Sequence, residues 1–531
     1  MSFNLIHEQW IPVRREDGAR VLIAPWQITE KLNSIMALDA PRPDFNGALI
    51  QFLIGLVQTT AAPKIDREWR AGLTVPPSPD QLKQSFESVA FAFNLDGNGP
   101  RFMQDLELVL GKEKEIGVLL IDAPGENTVE NNTDFFIKRS LVNGMCFPCV
   151  GTALFTLQTN APGGGQGHRT SLRGGGPLTT LVVGLNLWDT VWLNVLPSTA
   201  FPTNASPAKN VHKADIFPWL APTRTSEKGT GVSTTPVDVD PMQMFWGMPR
   251  RIRLSFESVA QGLCDICGNE EAPVVSRCLT KNYGVDYKGA WQHPLTPYTE
   301  IKGEPPSPRK GQTGGVHYRH WLGLVQADNE AGRIPARLIH EFWERQSKWP
   351  ELHTVFRRAP RLWAFAYEMD KRQLMKARCW YESTIPLMQM PDEFRSTYEA
   401  MIGGLIRTAM YVAGNVRRCV KQALFDPRSD VRGDMSFIDA GFWQTTESDF
   451  YRLLEDCRDK MRGANDCGSL KLEWLKVIAN AGERIFDEIS QANQIEMANP
   501  KRIALAARDL RRLNSQTNKK VRQLLDLPKT S

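Results

Sequence analysis

The chain has 531 residues, 42% of them hydrophobic and 23% charged, and a formal net charge of +5 at pH 7. These values are ordinary for a globular protein, and a chain of this length can form two or more domains. No apolar run of about 18 residues and no signal-peptide pattern occurs, so we expect a cytoplasmic protein with no membrane partner. Nine cysteines fit a reducing compartment better than a disulfide scaffold. The mild positive charge permits a nucleic-acid partner without requiring one.

The first half of the chain predicts short strands and one long helix. Residues 3–6, 10–13 and 19–23 have the pattern of strands, and the Asp17-Gly18 pair between the last two predicts a hairpin turn. Residues 44–59 carry apolar side chains at helical spacing, with Asp44 as the expected N-cap. Residues 116–121 predict a further strand, and residues 178–196, rich in Val, Thr and Trp, predict paired strands.

The second half has a different pattern after the segment between Pro386 and Pro391. Residues 392–420 carry a sustained 3.6-residue apolar stripe, and residues 447–461, 470–492 and 502–513 show the same period. Four amphipathic helices predict a four-helix bundle. The expected fold class is therefore α+β, with a large mixed α/β N-terminal domain over residues 1–388 and the bundle over residues 389–531.

Two Cys-x-x-Cys pairs are the strongest local signal. They place four thiols, Cys146, Cys149, Cys264 and Cys267, in two turns, and four sulfur ligands are the set that structural zinc prefers. The pairs therefore predict a structural Zn²⁺ that clamps two distant segments. Two unrelated pairs of buried thiols are the alternative, and Cys278 lies near enough in sequence to compete as a ligand.

A glycine-rich loop follows the first cysteine pair. Seven of the fourteen residues from 163 to 176 are glycines, and His168, Arg169 and Arg173 add positive charge among them. Because glycine has no side chain, its backbone can approach a phosphate or a base edge closely. The loop matches neither the Walker A pattern nor the dinucleotide fingerprint, and a flexible surface loop is the alternative.

In combination, these motifs resemble the CasA family, the large subunits of type I-E CRISPR Cascade surveillance complexes. The resemblance spans essentially the whole chain and is carried by Gln9-Trp-Ile-Pro-Val13, Cys146-x-x-Cys149, Ala161-Pro-Gly163, Leu172-Arg-Gly-Gly, Pro177-x-Thr-Thr180, Cys264-x-x-Cys267 and Gly289-Ala-Trp-Gln-His-Pro-Leu-Thr-Pro297. It implies a protein without catalytic activity that caps the 5′ end of CRISPR RNA, reads the protospacer-adjacent motif in double-stranded DNA and helps to open the duplex. The implied protein partners are the backbone and small Cascade subunits and the helicase-nuclease.

The resemblance also implies site residues. The glycine loop that faces the DNA minor groove falls on Gly163, Gly164, Gly165 and Gln166, and the lysine that reaches the motif falls on Lys281, with Lys288 as the nearest substitute. The loop that meets the RNA handle falls on Phe135, Phe136 and Ile137, although the family often has a polar residue at the last position. The wedge that props open the first target base pairs falls on Asp370, Lys371, Arg372 and Gln373, where either Gln373 or Lys371 takes the place of the family's glutamine.

Two other functions remain open from the residues alone. A zinc-dependent nucleic-acid hydrolase would need a histidine or carboxylate among its metal ligands, for which His317 or His320 is available. A general RNA-binding scaffold would show no preference among short duplex motifs.

Overall fold

The computed structural model describes residues 2–108, 110–123, 141–201, 212–257, 259–349, 352, 355–356, 359–370, 376–388, 392–426, 435–463, 467–492 and 499–528. The chain divides into two compact units, which are Met1–Thr313 with Pro335–Thr384 (unit 1) and Gly314–Ile334 with Ile385–Ser531 (unit 2). Among the described residues, none of the helices combines the length and the apolar character that a membrane span requires.

Unit 1 begins with an antiparallel sheet of β1 (Ile11–Arg15), β2 (Arg20–Ile23) and β3 (Ile35–Leu38), in the order β2-β1-β3. The predicted turn joins β1 to β2, and Gly18 has φ +88°, a left-handed value that favours glycine. The strand predicted at residues 3–6 is wrong. Asn4 makes an isolated bridge to Asn94, and its side-chain amide donates to the Ala90 carbonyl at 2.8 Å, so a side chain replaces the regular ladder.

Three helices follow, α1 (Pro43–Thr60), α2 (Asp66–Thr74) and α3 (Pro79–Glu87). Phe52 of α1 is fully buried and meets five aromatic rings edge-on at centroid distances of 5.3 to 5.9 Å, from Trp10, Phe93, Phe102, Phe155 and Trp246. Edge-to-face pairs add to the free energy of apolar burial, so this helix organises the core of unit 1.

The N-cap predicted for α1 is wrong. Arg42 occupies the cap position and Asp44 lies inside the first turn, 2% exposed. Its carboxylate accepts a hydrogen bond from the Tyr367 hydroxyl at 2.5 Å and pairs with the Arg42 guanidinium at 3.0 Å. A tertiary partner 323 residues away has therefore taken the oxygen that a cap would use.

Two small sheets and one helix form the centre of unit 1. The sheets are β4-β11-β8 and β5-β10-β9, and the elements are β4 (Lys112–Glu115), β5 (Met145–Cys146), α4 (Phe147–Asn160), β8 (Arg251–Leu254), β9 (Ala260–Gly262), β10 (Ala272–Val275) and β11 (Arg277–Lys281). The strand predicted at residues 116–121 is wrong, because a 3₁₀ helix at Ile116–Leu119 follows β4 and buries Ile116 and Leu119.

The paired strands predicted at residues 178–196 are half right. β6 (Thr179–Val183) is a strand, but Leu187–Leu193 is a helix, α5. The Asn186 side chain caps α5 by accepting from the Asp189 N–H at 2.8 Å, and Trp188 and Trp192 stack at 5.1 Å one turn apart. Local capping and this buried tryptophan pair outweigh the β-propensity of the segment.

The rest of unit 1 contains short strands, two helices and a long hairpin. These are α6 (Lys213–Ile216), β7 (Ser233–Thr234), β12 (Asp286–Tyr287), β13 (Tyr298–Thr299), β14 (Ser307–Pro308), α7 (Arg337–Lys348), β16 (Arg361–Asp370) and β17 (Lys376–Pro386). β16 pairs with both β17 and β6. Further 3₁₀ turns lie at Pro25–Thr29, Ala90–Ala92, Pro218–Leu220 and Pro241–Phe245.

Unit 2 consists mainly of helices that pack around the longest one, α8 (Arg395–Leu424). The others are α9 (Ser436–Arg462), α10 (Gly468–Ala492), α11 (Pro500–Leu513) and α12 (Lys519–Leu525), with the short strand β15 (Arg333–Ile334) and 3₁₀ turns at Tyr318–His320 and Asp392–Phe394. Residues 314–334 belong to this unit, since Tyr318 stacks on Phe450 at 4.4 Å and bonds Thr446. The four predicted helices are therefore present, α9 begins earlier than predicted, and α12 is additional.

Candidate zinc centre and nucleic-acid interface

The first cysteine pair lies where a strand becomes a helix. Cys146 ends β5 and is the N-cap residue of α4, so Cys149 lies in the first helical turn. Pro148, also in that turn, suits the start of a helix because its position requires no N–H donor. The strand-to-helix transition therefore directs both thiols, 4% and 6% exposed, towards the same point.

The second pair lies in the turn between β9 and β10. The Gly268 N–H donates to the Cys264 carbonyl at 2.9 Å, and the Cys264 N–H donates to the Asn269 carbonyl at 2.8 Å, which closes a tight loop. Gly268 has φ +74°, and a Cβ there would meet no atom within 4 Å, so backbone conformation is the reason for glycine at this position. Cys264 is fully buried and Cys267 is exposed.

Asp265 joins the two pairs. One of its carboxylate oxygens accepts hydrogen bonds from the Asn143 N–H at 2.7 Å and the Gly144 N–H at 2.9 Å, and its own N–H donates to the Gly144 carbonyl at 3.0 Å. The β5–β10 pairing, with Val274 opposite Cys146, holds the same two segments together. The protein framework therefore brings both turns into place.

The four sulfur atoms fit a tetrahedral metal site. All four lie within 4.8 Å of one another, and Cys146 Sγ lies 3.7 Å from Cys267 Sγ. A tetrahedral zinc with four sulfur ligands at about 2.3 Å places its sulfurs about 3.8 Å apart. The arrangement is compatible with a structural zinc site, and a set of four cysteines leaves no open position for a substrate.

The thiols of this cluster shift one another's pKa values in opposite directions. Hydrogen bonds from Cys146 and then Cys149 lower the pKa of Cys264, and a hydrogen bond from Cys149 lowers the pKa of Cys267 to about 7. The contact with Cys146 is the largest of those that raise the pKa of Cys149. Four thiolates this close repel one another, and a divalent cation among them would remove that repulsion.

The other candidate ligands lie outside the cluster. Cys278 is fully buried within β11, where burial raises its pKa to about 12, so it does not compete with Cys264 or Cys267. His317 Nε2 donates to the Gly314 carbonyl of its own turn at 2.6 Å, and both His317 and His320 belong to unit 2. Among the described residues, the cysteines are the one group of three or more Cys, His, Asp or Glu side chains close enough to share an ion.

The glycine loop presents backbone to solvent. Gly164, Gly165 and Gln166 are exposed, and a Cβ built on Gly165 would meet no atom within 4 Å. Gly167, in contrast, has φ +77°, and its Cβ would come within 2.9 Å of the Asn282 Cβ. The tip, residues 164–166, is therefore open to a ligand, whereas Gly167 at the C-terminal end of the loop is packed closely against the protein.

Asn282 and Tyr283 hold the C-terminal end of the loop in place. Asn282 Nδ2 donates to the Gln166 carbonyl at 2.9 Å, and the Tyr283 N–H donates to the Gly167 carbonyl at 2.8 Å. Tyr283 has φ +62°, a conformation that costs a non-glycine residue about 1–3 kcal/mol. Lys281 ends β11 immediately before these two residues and is exposed, 3.9 Å from Glu227 Oε1. Lys281 is therefore the residue immediately before the two that hold the loop.

Positive charge lies at the base of the loop rather than at its tip. Arg250 donates to the Pro162 carbonyl at 2.6 Å and contacts His168 Nδ1, and burial lowers the pKa of Arg250 to about 10. Arg169 binds Ser226 and lies 3.7 Å from Asp286. Arg173, which we expected to add charge for phosphate, is 3% exposed and bonds internal side chains, so that expectation is wrong.

The base of the predicted wedge hairpin packs against the glycine-rich segment. A Cβ on Gly176 would come within 2.7 Å of Met369 Sδ and 3.0 Å of the Tyr367 carbonyl oxygen, and both residues belong to β16. Met369 precedes Asp370, the last residue of β16. Lys371, Arg372 and Gln373 lie outside the described residues, as do the predicted RNA-handle residues Phe135, Phe136 and Ile137.

Sequence reasoning missed three supports of these sites. Asp265 lies between Cys264 and Cys267, where an Asx side chain in a tight turn is itself a signal for backbone bonding. Asn282, next to the predicted Lys281, gave a similar short-range signal. Nothing in the sequence around Arg250 indicated its contact with Pro162, 88 residues earlier.

Comparisons with known proteins agree with this architecture. Residues 4–485 match the family model described as CRISPR-associated protein Cse1. Thermus thermophilus CasA (Cse1) superposes with a TM-score of 0.67 at 16% identity, covering 97% of this chain and 100% of that one. Thermobifida fusca Cse1 gives a TM-score of 0.68 at 16% identity, covering 99% of both chains. A chain of a CRISPR RNA-guided surveillance complex superposes with a TM-score of 0.63 at 14% sequence identity, covering 97% of this chain and 99% of that one. At these identities the structural likeness demonstrates a shared fold.

Proposed function

This chain belongs to the Cse1 family of CRISPR-associated proteins, and on that basis we propose that it is the large, non-catalytic subunit of a type I-E Cascade surveillance complex. In that role it binds CRISPR RNA and the other Cascade subunits, reads the protospacer-adjacent motif in double-stranded DNA, and supports recruitment of the helicase-nuclease. The observation that carries the proposal is the glycine loop, whose exposed tip stands on an anchored base within a chain of this family.

The loop supports motif reading through its backbone. With no side chain at Gly163, Gly164 or Gly165, their N–H and C=O groups can approach base edges in the minor groove, and Gln166 adds a side-chain donor and acceptor. Lys281 supplies an exposed cation for the neighbouring phosphates. Because the minor groove mainly distinguishes A·T from G·C pairs, several motif variants should be accepted.

We assign duplex opening to the neighbouring hairpin, which is formed by β16 and β17. Asp370, Lys371, Arg372 and Gln373 form the proposed wedge, and the close contact of Met369 with Gly176 supports a mechanical link between motif reading and wedge insertion. Unstacking a base step costs a few kcal/mol, which pairing of the target strand with the guide offsets. Phe135, Phe136 and Ile137 are the proposed contact to the RNA handle.

The cysteine cluster has a structural part in this proposal. Cys146, Cys149, Cys264 and Cys267 would hold Zn²⁺, which would neutralise the clustered thiolates and fix the β5–α4 junction from which the chain continues to the glycine loop. In unit 2, α8, α9, α10 and α11 are proposed to form the predicted four-helix bundle, with α12 packed on α8.

The experiment is a binding assay on the guide-loaded complex, with and without this subunit, using duplexes that differ only in the flanking motif. We expect motif-dependent affinity only when the subunit is present. Affinity that is indifferent to the motif would contradict the reading role.

A nuclease assay on the purified, zinc-loaded chain tests the rival hydrolase. Metal-dependent cleavage of duplex or single-stranded nucleic acid, lost in Cys264→Ser, would favour the hydrolase and contradict the non-catalytic role. We expect no cleavage, since the cluster contains no histidine or carboxylate ligand among the described residues.

A further inference from the structure

Arg173 is a buried cation without a carboxylate partner. It is 3% exposed and lies in the glycine-rich segment of unit 1. Its NH1 donates to the Thr179 and Thr296 hydroxyls at 3.0 Å each, and its NH2 donates to Gln51 Oε1 at 2.5 Å, so all three acceptors are neutral. Within the described ranges, no Asp or Glu forms an ion pair with it.

A second buried arginine of unit 1, in contrast, has carboxylate partners. Arg345 is 1% exposed and lies 3.2 Å from Asp66 and 3.9 Å from Glu341. Burying a charge is costly unless an opposite charge accompanies it, and Arg345 meets that condition while Arg173 does not. Desolvation lowers the pKa of Arg173 to about 10, so the guanidinium is still charged at neutral pH.

Two of the five N–H donors of Arg173 remain unfilled. A guanidinium has one donor on Nε and two on each terminal nitrogen, and the three bonds above use both on NH1 and one on NH2. Among the described residues, no acceptor fills the Nε–H or the second NH2 position. The Arg173 guanidinium therefore carries both the uncompensated positive charge and the two unfilled N–H donors.

A small cavity lies next to this guanidinium. Its volume is about 20 Å³, and its polar lining comes from Gln51, Gln158, Thr159, Ser171, Arg173 and His293. A cavity of roughly 10–15 Å³ on this scale holds one water molecule. None of the lining residues is an acid, and burial, followed by the charge of Arg173, keeps the pKa of His293 well below its ordinary value. The cavity is thus polar, without negative charge, and large enough for one small ion.

We propose that this cavity is a binding site for a single small monovalent anion, of the size of chloride, held by Arg173. The anion would fill the unfilled guanidinium donors and neutralise the buried charge. It would thereby stabilise the base of the glycine-rich segment, where the Ser171 N–H donates to Ala161 at 3.2 Å and the Gly174 N–H donates to Ser171 at 2.8 Å. The site does not depend on nucleic-acid binding.

Anomalous diffraction from crystals of the full chain soaked in sodium bromide tests the location. We expect a bromide peak in the cavity within hydrogen-bond distance of Arg173. A cavity that contains only water, with bromide elsewhere on the surface, would overturn the proposal.

Thermal unfolding in solution tests whether the ion binds outside the crystal. At constant ionic strength, replacing gluconate, which is too large for the cavity, by chloride or bromide should raise the unfolding temperature progressively with concentration. Arg173→Gln should abolish this dependence, while the matched control Arg345→Gln should be destabilised but keep it. If Arg173→Gln does not fold, the anion series on the unchanged chain still decides: equal unfolding temperatures in all of these salts would contradict the proposal.

Discussion

Replacing Asp265 by alanine should loosen the cysteine cluster without removing any of its ligands. The Asp265 carboxylate accepts hydrogen bonds from the Asn143 and Gly144 N–H groups at 2.7 and 2.9 Å, and these residues are 122 and 121 positions away in the chain. Asp265→Ala removes both bonds, so the turn that carries Cys264 and Cys267 loses its side-chain link to the segment that leads into Cys146.

The expected size follows from the geometry. A hydrogen bond to a charged group contributes roughly 1.5–3 kcal/mol when it is buried. Asp265 is exposed, and water replaces part of what is lost, so we take about 1 kcal/mol per bond and about 2 kcal/mol in total. In a chain of 531 residues that loss lowers the unfolding temperature by about 2 °C. Because the Asp265 side chain bonds the segment before Cys146 and not a cysteine, metal binding should weaken by less than the roughly 10–100-fold typical of losing a direct partner of a metal ligand.

The assay combines thermal unfolding with the rate at which a chelator removes zinc from the purified chain. Asp238→Ala is the matched control, because Asp238 is also exposed and accepts two bonds at 2.7 Å, both from Thr235 only three residues away. We expect faster zinc loss in Asp265→Ala and an unchanged rate in Asp238→Ala. Equal zinc-loss rates in the two variants would refute the role assigned to Asp265.

Three further predictions concern metal binding, backbone conformation and pH. Cys264→Ser should lose the metal by elemental analysis, whereas Cys278→Ser should retain it, because Cys278 lies outside the cluster. Gly167→Ala should lower the free energy of unfolding, measured with urea, by about 1–2 kcal/mol, because alanine is strained at the left-handed φ of this position. Gly165→Ala should leave it unchanged, because a Cβ there has open space around it. Burial raises the pKa of Asp189 to about 6, so stability should fall as pH rises from about 4 to 6. Asp189→Asn should therefore unfold at a higher temperature than wild type above pH 6, and at the same temperature below about pH 4; an equal difference at both pH values would contradict this.

The sequence predicted features that depend on local spacing. The 3.6-residue stripe of α8 places residues such as Leu405, Val412 and Val416 in the core, and each is at most 1% exposed. The two Cys-x-x-Cys pairs likewise predicted a cluster, which the geometry confirms, because short spacing fixes each pair in one turn. Periodicity and turn chemistry act over a few residues, so one sequence is enough to recognise them.

Features set by distant partners were not predictable in this way. Asp44 has the residue type of an N-cap, but the hydroxyl of Tyr367 reaches it only after the hairpin packs on α1. Arg173 has the residue type of a phosphate ligand, but it is buried because Gln51 and Thr296 converge on it from other parts of unit 1. In both cases tertiary contacts decide what a polar side chain does.

The most direct test of motif reading is the ratio of dissociation constants for duplexes without and with the preferred flanking motif. It should be measured on guide-loaded complexes that contain wild type, Gly165→Asp or Gly99→Asp. Both glycines have open space at Cβ, so each substitution adds one negative charge without a steric clash, and Gly99 lies away from the loop in sequence. Loss of base-edge contacts worth about 1–3 kcal/mol should reduce the ratio by roughly 5–150-fold in Gly165→Asp alone. A ratio in Gly165→Asp equal to that of wild type and Gly99→Asp would contradict the assignment of motif reading to the glycine loop.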